Sequence, residues 1–359
     1  MDIAALKKEA KSKKTIATRL LELAKTPDPT VQYAVAANPN APLAALEYLS
    51  GHGKWTILKA VAVHPNVSLL ILEKLATHKQ VTVCEAVAQS HQADEKLLLQ
   101  LAKHIDAKVR QAVIANSNCT SSIFTFLSQD AEFLVRSDLA GQRTCPVPIL
   151  EQLAHDPDKY VRASVAWNEN VPTLELRILA TDPDDYVRSN TIRNLKNRGE
   201  KTLLLSLTRD PSEEVRLEIA NLFIWHDQLH LLLVTDVSEK IRETLAEHHE
   251  LPPKQMLILA SDSSQKVRYA VAKRDELSNS VLQLLVKDPD VEVRRALVYA
   301  KTTLVPTWVL ETLATDPDET VRWQVANNGN APKAVLNKLL QDPSDDVRAK
   351  ATETLKWFL

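Results

Sequence analysis

The chain has 359 residues, 45% of them hydrophobic and 25% charged, with a formal net charge of −2. That is apolar material for several ordinary domains or one long array, without the basic balance that marks a nucleic-acid or anionic-membrane binder. Only five glycines occur, Gly51, Gly53, Gly141, Gly199 and Gly329, so the clustered glycines that Rossmann, P-loop and kinase sites place beside phosphate are missing.

Residues 1–25 are amphipathic and too polar for a signal peptide, and are expected to form an N-terminal capping helix. They carry a basic run, Lys7, Lys8, Lys11, Lys13, Lys14 and Arg19, and residues 1–130 hold 15 Lys+Arg against 11 Asp+Glu. A solvated helix face explains the run better than a site for an anionic partner. No stretch approaches the length of a membrane-spanning helix. Three cysteines with no secretory segment ahead of them point to a reducing cytoplasm.

From residue 26 a period takes over. An aliphatic anchor recurs at Val31, Ile57, Val83, Val109, Val135, Val161, Val187, Val215, Ile241, Val267, Val293, Val321 and Val347, every 26 residues apart from two steps of 28, after Val187 and after Val293. Residues 156–181, DPDKYVRASVAWNENVPTLELRILAT, spell out one unit. Asp156 reads as an N-cap, with Pro157 suited to the first helical position. Val161 and Val165 share a face. Asn168 stands where that helix should stop, a residue tolerant of the left-handed conformation. Pro172 then opens a second helix with Leu176 and Leu179 on its buried side. Helices this short are unstable alone in water, so their apolar faces must be buried by stacking repeat on repeat. The prediction is one all-α solenoid domain, residues 1–359, with about thirteen 26-residue two-helix repeats over residues 26–346 and a C-terminal cap at 347–359.

The pattern D-P-D-x-x-V-R-x-x-V-A-x-N-x-x-x-P-x-x-x-L-x-x-L-A resembles the leucine-rich repeat variant family, relatives of HEAT-type repeats. Tyr33 to Pro42 (YAVAANPNAP) and Asp316 to Pro332 (DPDETVRWQVANNGNAP) carry the likeness most clearly, and it extends over essentially the whole chain. The resemblance implies a right-handed superhelix whose first helices are either α or 3₁₀. One branch of that family holds an iron–sulfur centre on an N-terminal cysteine cluster. This chain lacks the cluster, and no cofactor is expected.

Two charged slots flank the anchor. Arginine follows it ten times running, at Arg110, Arg136, Arg162, Arg188, Arg216, Arg242, Arg268, Arg294, Arg322 and Arg348. Aspartate precedes it by five residues at Asp130, Asp156, Asp182, Asp210, Asp236, Asp262, Asp288, Asp316 and Asp342. The first three repeats lack both: Thr26, His52 and His78 fill the acid slot, and Gln32, Leu58 and Cys84 the arginine slot. Charges that come and go together are read as an Asp–Arg ladder rather than a phosphate track. His52, His78 and His104 succeed one another in the acid slot, but stacked helices lie roughly 8–10 Å apart, too far for a shared zinc ion. The same spacing argues against a disulfide between Cys119 and Cys145, which are read as small core residues.

No catalytic motif stands out, and the chain is expected not to be an enzyme. Trp225-His226-Asp227 is the one cluster with catalytic flavour. HEAT-like alkylpurine DNA glycosylases use tryptophans around an aspartate in a basic cleft, whereas Glu213, Glu214, Glu218, Asp236 and Glu239 make these surroundings acidic.

The slots one before, two after and six after each anchor are expected to face solvent on the first helix. They vary freely, and the large residues among them, Tyr160, Trp167, Tyr186, Arg193, Tyr269, Arg295, Tyr299 and Trp323, form the expected partner-binding site. Aromatic and arginine side chains are what interface hot spots are made of. The reading is therefore a protein–protein interaction scaffold with a protein or peptide partner. A nucleic-acid-binding or DNA-processing helical-repeat protein is the alternative.

Overall fold

A computed structural model describes residues 2–222, 227–247, 251–299 and 305–356. Among them there are 27 helices and no strand. They fall into two compact units, Met1–Arg198 and Gly199–Leu359. No described helix is long and apolar enough to cross a membrane.

Every anchor sits on the first helix of its repeat and is fully buried, from Val31 on Pro29–Ala36 to Val347 on Asp345–Leu355. The first helices are α-helical wherever they are described. The second helices are mostly single pieces of seven residues, such as Thr173–Leu179, and bury leucines three apart, Leu176 and Leu179 among them. Within each unit, consecutive first helices pack on one another and most second helices pack on a first. A helix of two turns gains too few internal hydrogen bonds to offset its ordering entropy. Burying each Val or Leu contributes about 1.5–3 kcal/mol, so stacking, not helix propensity, stabilises the array.

Local geometry differs from expectation in three places. The helix N-cap is Asp158, whose side chain accepts from Tyr160 N, and the helix runs Lys159–Trp167. Asp156 lies two residues earlier and accepts instead from Asp158 N at 2.9 Å. Asn168 ends that helix in an extended conformation, φ −66° and ψ 127°, not a left-handed one. Its side chain has another task, described below. Residues 1–25 hold two helices, Ile3–Lys11 and Ala17–Ala24, rather than one. This pair stacks on the first repeat as a further repeat would. The period misses it because Ala5 stands where the valine would fall.

The longer step after Val187 also has a visible cause. Its first helix, Asp185–Asn197, continues for 13 residues. The chain then turns at Gly199, whose φ of 70° lies in the left-handed region that glycine enters without a Cβ clash.

Candidate partner-binding surface

The arginine slot is consumed by folding. Arg162 Nε and Nη2 donate to Asp182 Oδ2 and Oδ1 at 2.7 and 3.0 Å, a two-pronged bond to the aspartate of the next repeat. Its Nη1 donates to the Asp156 carbonyl of its own repeat at 2.9 Å. Asp182 Oδ1 in turn accepts from Asp184 N at 2.9 Å, closing its own turn. The same fork joins Arg110 to Asp130, Arg136 to Asp156, Arg216 to Asp236, Arg242 to Asp262, Arg268 to Asp288, Arg294 to Asp316 and Arg322 to Asp342. The bond to Asp130 raises the Arg110 pKa further above its ordinary value. Guanidiniums spent this way leave no open track for phosphates.

Histidines in the acid slot imitate half of the aspartate's work. His78 Nδ1 accepts from Gln80 N at 3.1 Å, and His104 Nδ1 from Asp106 N at 3.0 Å. Cys84, in an arginine slot, directs its Sγ at the His78 carbonyl, 3.2 Å away. Burial pushes the Cys119 thiol up to about 11 and the Cys145 thiol to about 12, so neither is a ready nucleophile. Trp225 and His226 lie outside the described residues, and the side chain of Asp227 is not among those described.

Sequence reasoning missed a second ladder. Asn168 Nδ2 donates to the Ala140 and Gln142 carbonyls of the preceding repeat at 2.7 and 2.8 Å. Asn116 does the same to Ala88 and Ser90, and Asn38 to Ala10 and Ser12. These asparagines are buried and satisfy carbonyls that a finished helix leaves orphaned. The signal is present, an asparagine seven residues after the anchor, but an asparagine there is equally suited to ending its own helix.

The eight candidate residues divide between the units. Within Met1–Arg198, Tyr160 and Tyr186 are 47% and 48% exposed, and their rings meet edge to face with centroids 5.7 Å apart. Phe133, which the slot pattern passed over because it lies two residues before its anchor, extends the row, 5.8 Å from Tyr160. Trp167 is half exposed, with the Arg193 guanidinium 4.6 Å from its ring centroid. Within Gly199–Leu359, Tyr269 is exposed beside Lys273, and Lys350 Nζ stands 5.4 Å from the Trp323 ring. Arg295, Tyr299 and Trp323 line one pocket.

The slot two after the anchor is not the free surface expected. Ala163 and Leu217 occupy it and are buried. It meets the next first helix: Gln111 Nε2 donates to Asp138, and Ser137 bonds Ser164. Tyr269 is exposed there, while Arg295 and Trp323 are half-buried in this seam. The slots one before and six after the anchor carry Tyr160, Tyr186, Trp167, Arg193 and Tyr299, all exposed.

The described residues thus form an all-α repeat protein of the solenoid class. No family model matches the chain, and no curated protein matches it. Among solved structures it is similar to a leucine-rich repeat variant with a novel repetitive structural motif. The TM-score is 0.47 and the identity 25%, over 67% of this chain and 88% of that one. It is also similar to Kap121p bound to Ste12p, at TM-score 0.28 and 13% identity, covering 99% of this chain and 38% of that one. For importin beta the values are 0.24 and 14%, covering 94% and 50%.

Proposed function

We propose that the chain is a non-enzymatic scaffold that binds protein or peptide partners through the exposed slots of its first helices. One observation carries this reading. The anchor, leucine, aspartate, arginine and asparagine slots are filled by folding contacts, whereas Tyr160, Trp167, Tyr186 and Tyr299 stand at 47–64% exposure. Large planar side chains bury much area at low entropic cost, which suits them as anchors for a partner. Nucleic-acid binding fits less well, because the ladder arginines already hold carboxylates.

The test is affinity capture with the intact chain, comparing wild type with Tyr160→Ala/Trp167→Ala and with Tyr299→Ala/Trp323→Ala. A specific protein partner should be retained by wild type and weakened in at least one variant. Capture unchanged in both, or a tight mobility shift of duplex or single-stranded nucleic acid, would remove the proposal.

A further inference from the structure

A pocket of about 300 Å³ opens beside the starts of the helices Glu319–Asn327 and Asp345–Leu355. Its lining includes Tyr299, Trp323, Glu319, Asp346, Arg295 and Gln324. Carboxylates in a first helical turn need no ligand, since the helix dipole favours them there. Gln324 is a better pointer. It is only 6% exposed, it lines the cavity, and among the described residues its amide has no hydrogen-bond partner. Its amide atoms are not sealed from solvent, so the cavity is where they are available to bond a group that enters.

The charges say what enters. Arg295 is already matched, 2.6 Å from Glu292. Glu319 and Asp346 have no ion pair or hydrogen bond among the described residues, so the unmatched charge of the lining is negative. The Lys350 ammonium beside Trp323 shows that this ring already accepts a cation at its surface. The volume lies at the low end for small-molecule sites and suits one long side chain. Phosphate or another anion would face the two carboxylates.

We infer that this pocket takes one cationic side chain, arginine or lysine, of a partner peptide. The aromatic rings flank its stem, Glu319 and Asp346 meet its charge, and the Gln324 amide oxygen accepts one of its N–H groups. The inference rests on the reading of the chain as a peptide-binding scaffold.

Fluorescence anisotropy with the full chain tests it. The probe is a labelled Gly-Ser peptide carrying two adjacent arginines, with matched lysine, citrulline and glutamate versions. The arginine and lysine peptides should bind, and more weakly as salt rises. Affinity should fall at least tenfold in Glu319→Gln/Asp346→Asn and in Trp323→Ala, with helicity and melting kept, while Leu70→Ala, at an exposed position of the second helix Leu69–Leu75, changes nothing. Gln324→Leu should also weaken binding. No binding of the arginine peptide, equal binding of the citrulline peptide, or unchanged affinity in Glu319→Gln/Asp346→Asn would overturn the inference. If that happens while a captured partner still depends on Tyr160 and Trp167, the scaffold reading stands and only the cation pocket is lost.

Discussion

The first three repeats and those from Val109 onward solve the same local problem by different means. In the later repeats the slot after the anchor holds an arginine that serves its own turn and reaches the next repeat, as Arg110 reaches Asp130. In the first three, only the local half survives, and only in two of them. Gln32 Nε2 donates to the Thr26 carbonyl at 2.9 Å, and Cys84 Sγ points at the His78 carbonyl. Leu58 offers no donor. In its repeat the preceding second helix runs on to His52, and Gly53 closes the turn with its N–H on the Leu49 carbonyl at 2.8 Å. Satisfying the turn is therefore what this slot does wherever its side chain carries a donor. The ion pair between repeats is an addition.

This contrast can be broken in three ways. The largest effect should come from Arg294→Ala. It strands Asp316, which is buried and bonded through both oxygens, and breaking a buried pair from one side costs about 3–5 kcal/mol. Urea unfolding should show the loss, whereas Gln32→Ala should cost only about 1 kcal/mol, since it removes only neutral hydrogen bonds, to the Thr26 carbonyl and more weakly to that of Ala24. A smaller effect should follow acid. The bond from Arg322 holds the Asp342 carboxyl below its ordinary value. The pair's contribution is therefore complete above the unfolded pKa of about 3.9 and disappears as pH falls through the lower folded value. Melting curves of Asp342→Asn and wild type should differ most at neutral pH and converge in strong acid. The smallest effect should come from extending the ladder backwards. Cys84→Arg with His104→Asp recreates the fork twenty residues apart, as in the later repeats. The double variant should be more stable than the sum of the singles by about 1 kcal/mol. Strict additivity would show that the early repeats cannot hold the pair.

Much of this arrangement was legible in the chain. A valine every 26 residues, with leucines three apart in between, leaves little freedom in what is buried. The co-variation of Asp and Arg slots gave the first ladder, because a buried charge needs its partner. The asparagine ladder stayed hidden since one residue can end its own helix or bond the previous repeat, and spacing along the chain does not separate the two. Ala163 was misplaced for a related reason: helical period gives a direction, not the distance to the neighbouring helix. The pocket draws Tyr299, Trp323 and Asp346 from three successive repeats, so no motif within one repeat announces it.

The central claim is that folding uses the arginine slot and leaves the aromatic slots free for a partner. Thermal melting of Arg162→Ala and Trp167→Ala, both on the helix Lys159–Trp167, tests it most directly. Arg162→Ala should melt well below wild type, because it strands the buried Asp182. Trp167→Ala, half exposed and touched by Arg193, should melt within a few degrees of wild type. Equal destabilisation by the two, or a stable Arg162→Ala beside an unfolded Trp167→Ala, would contradict the account.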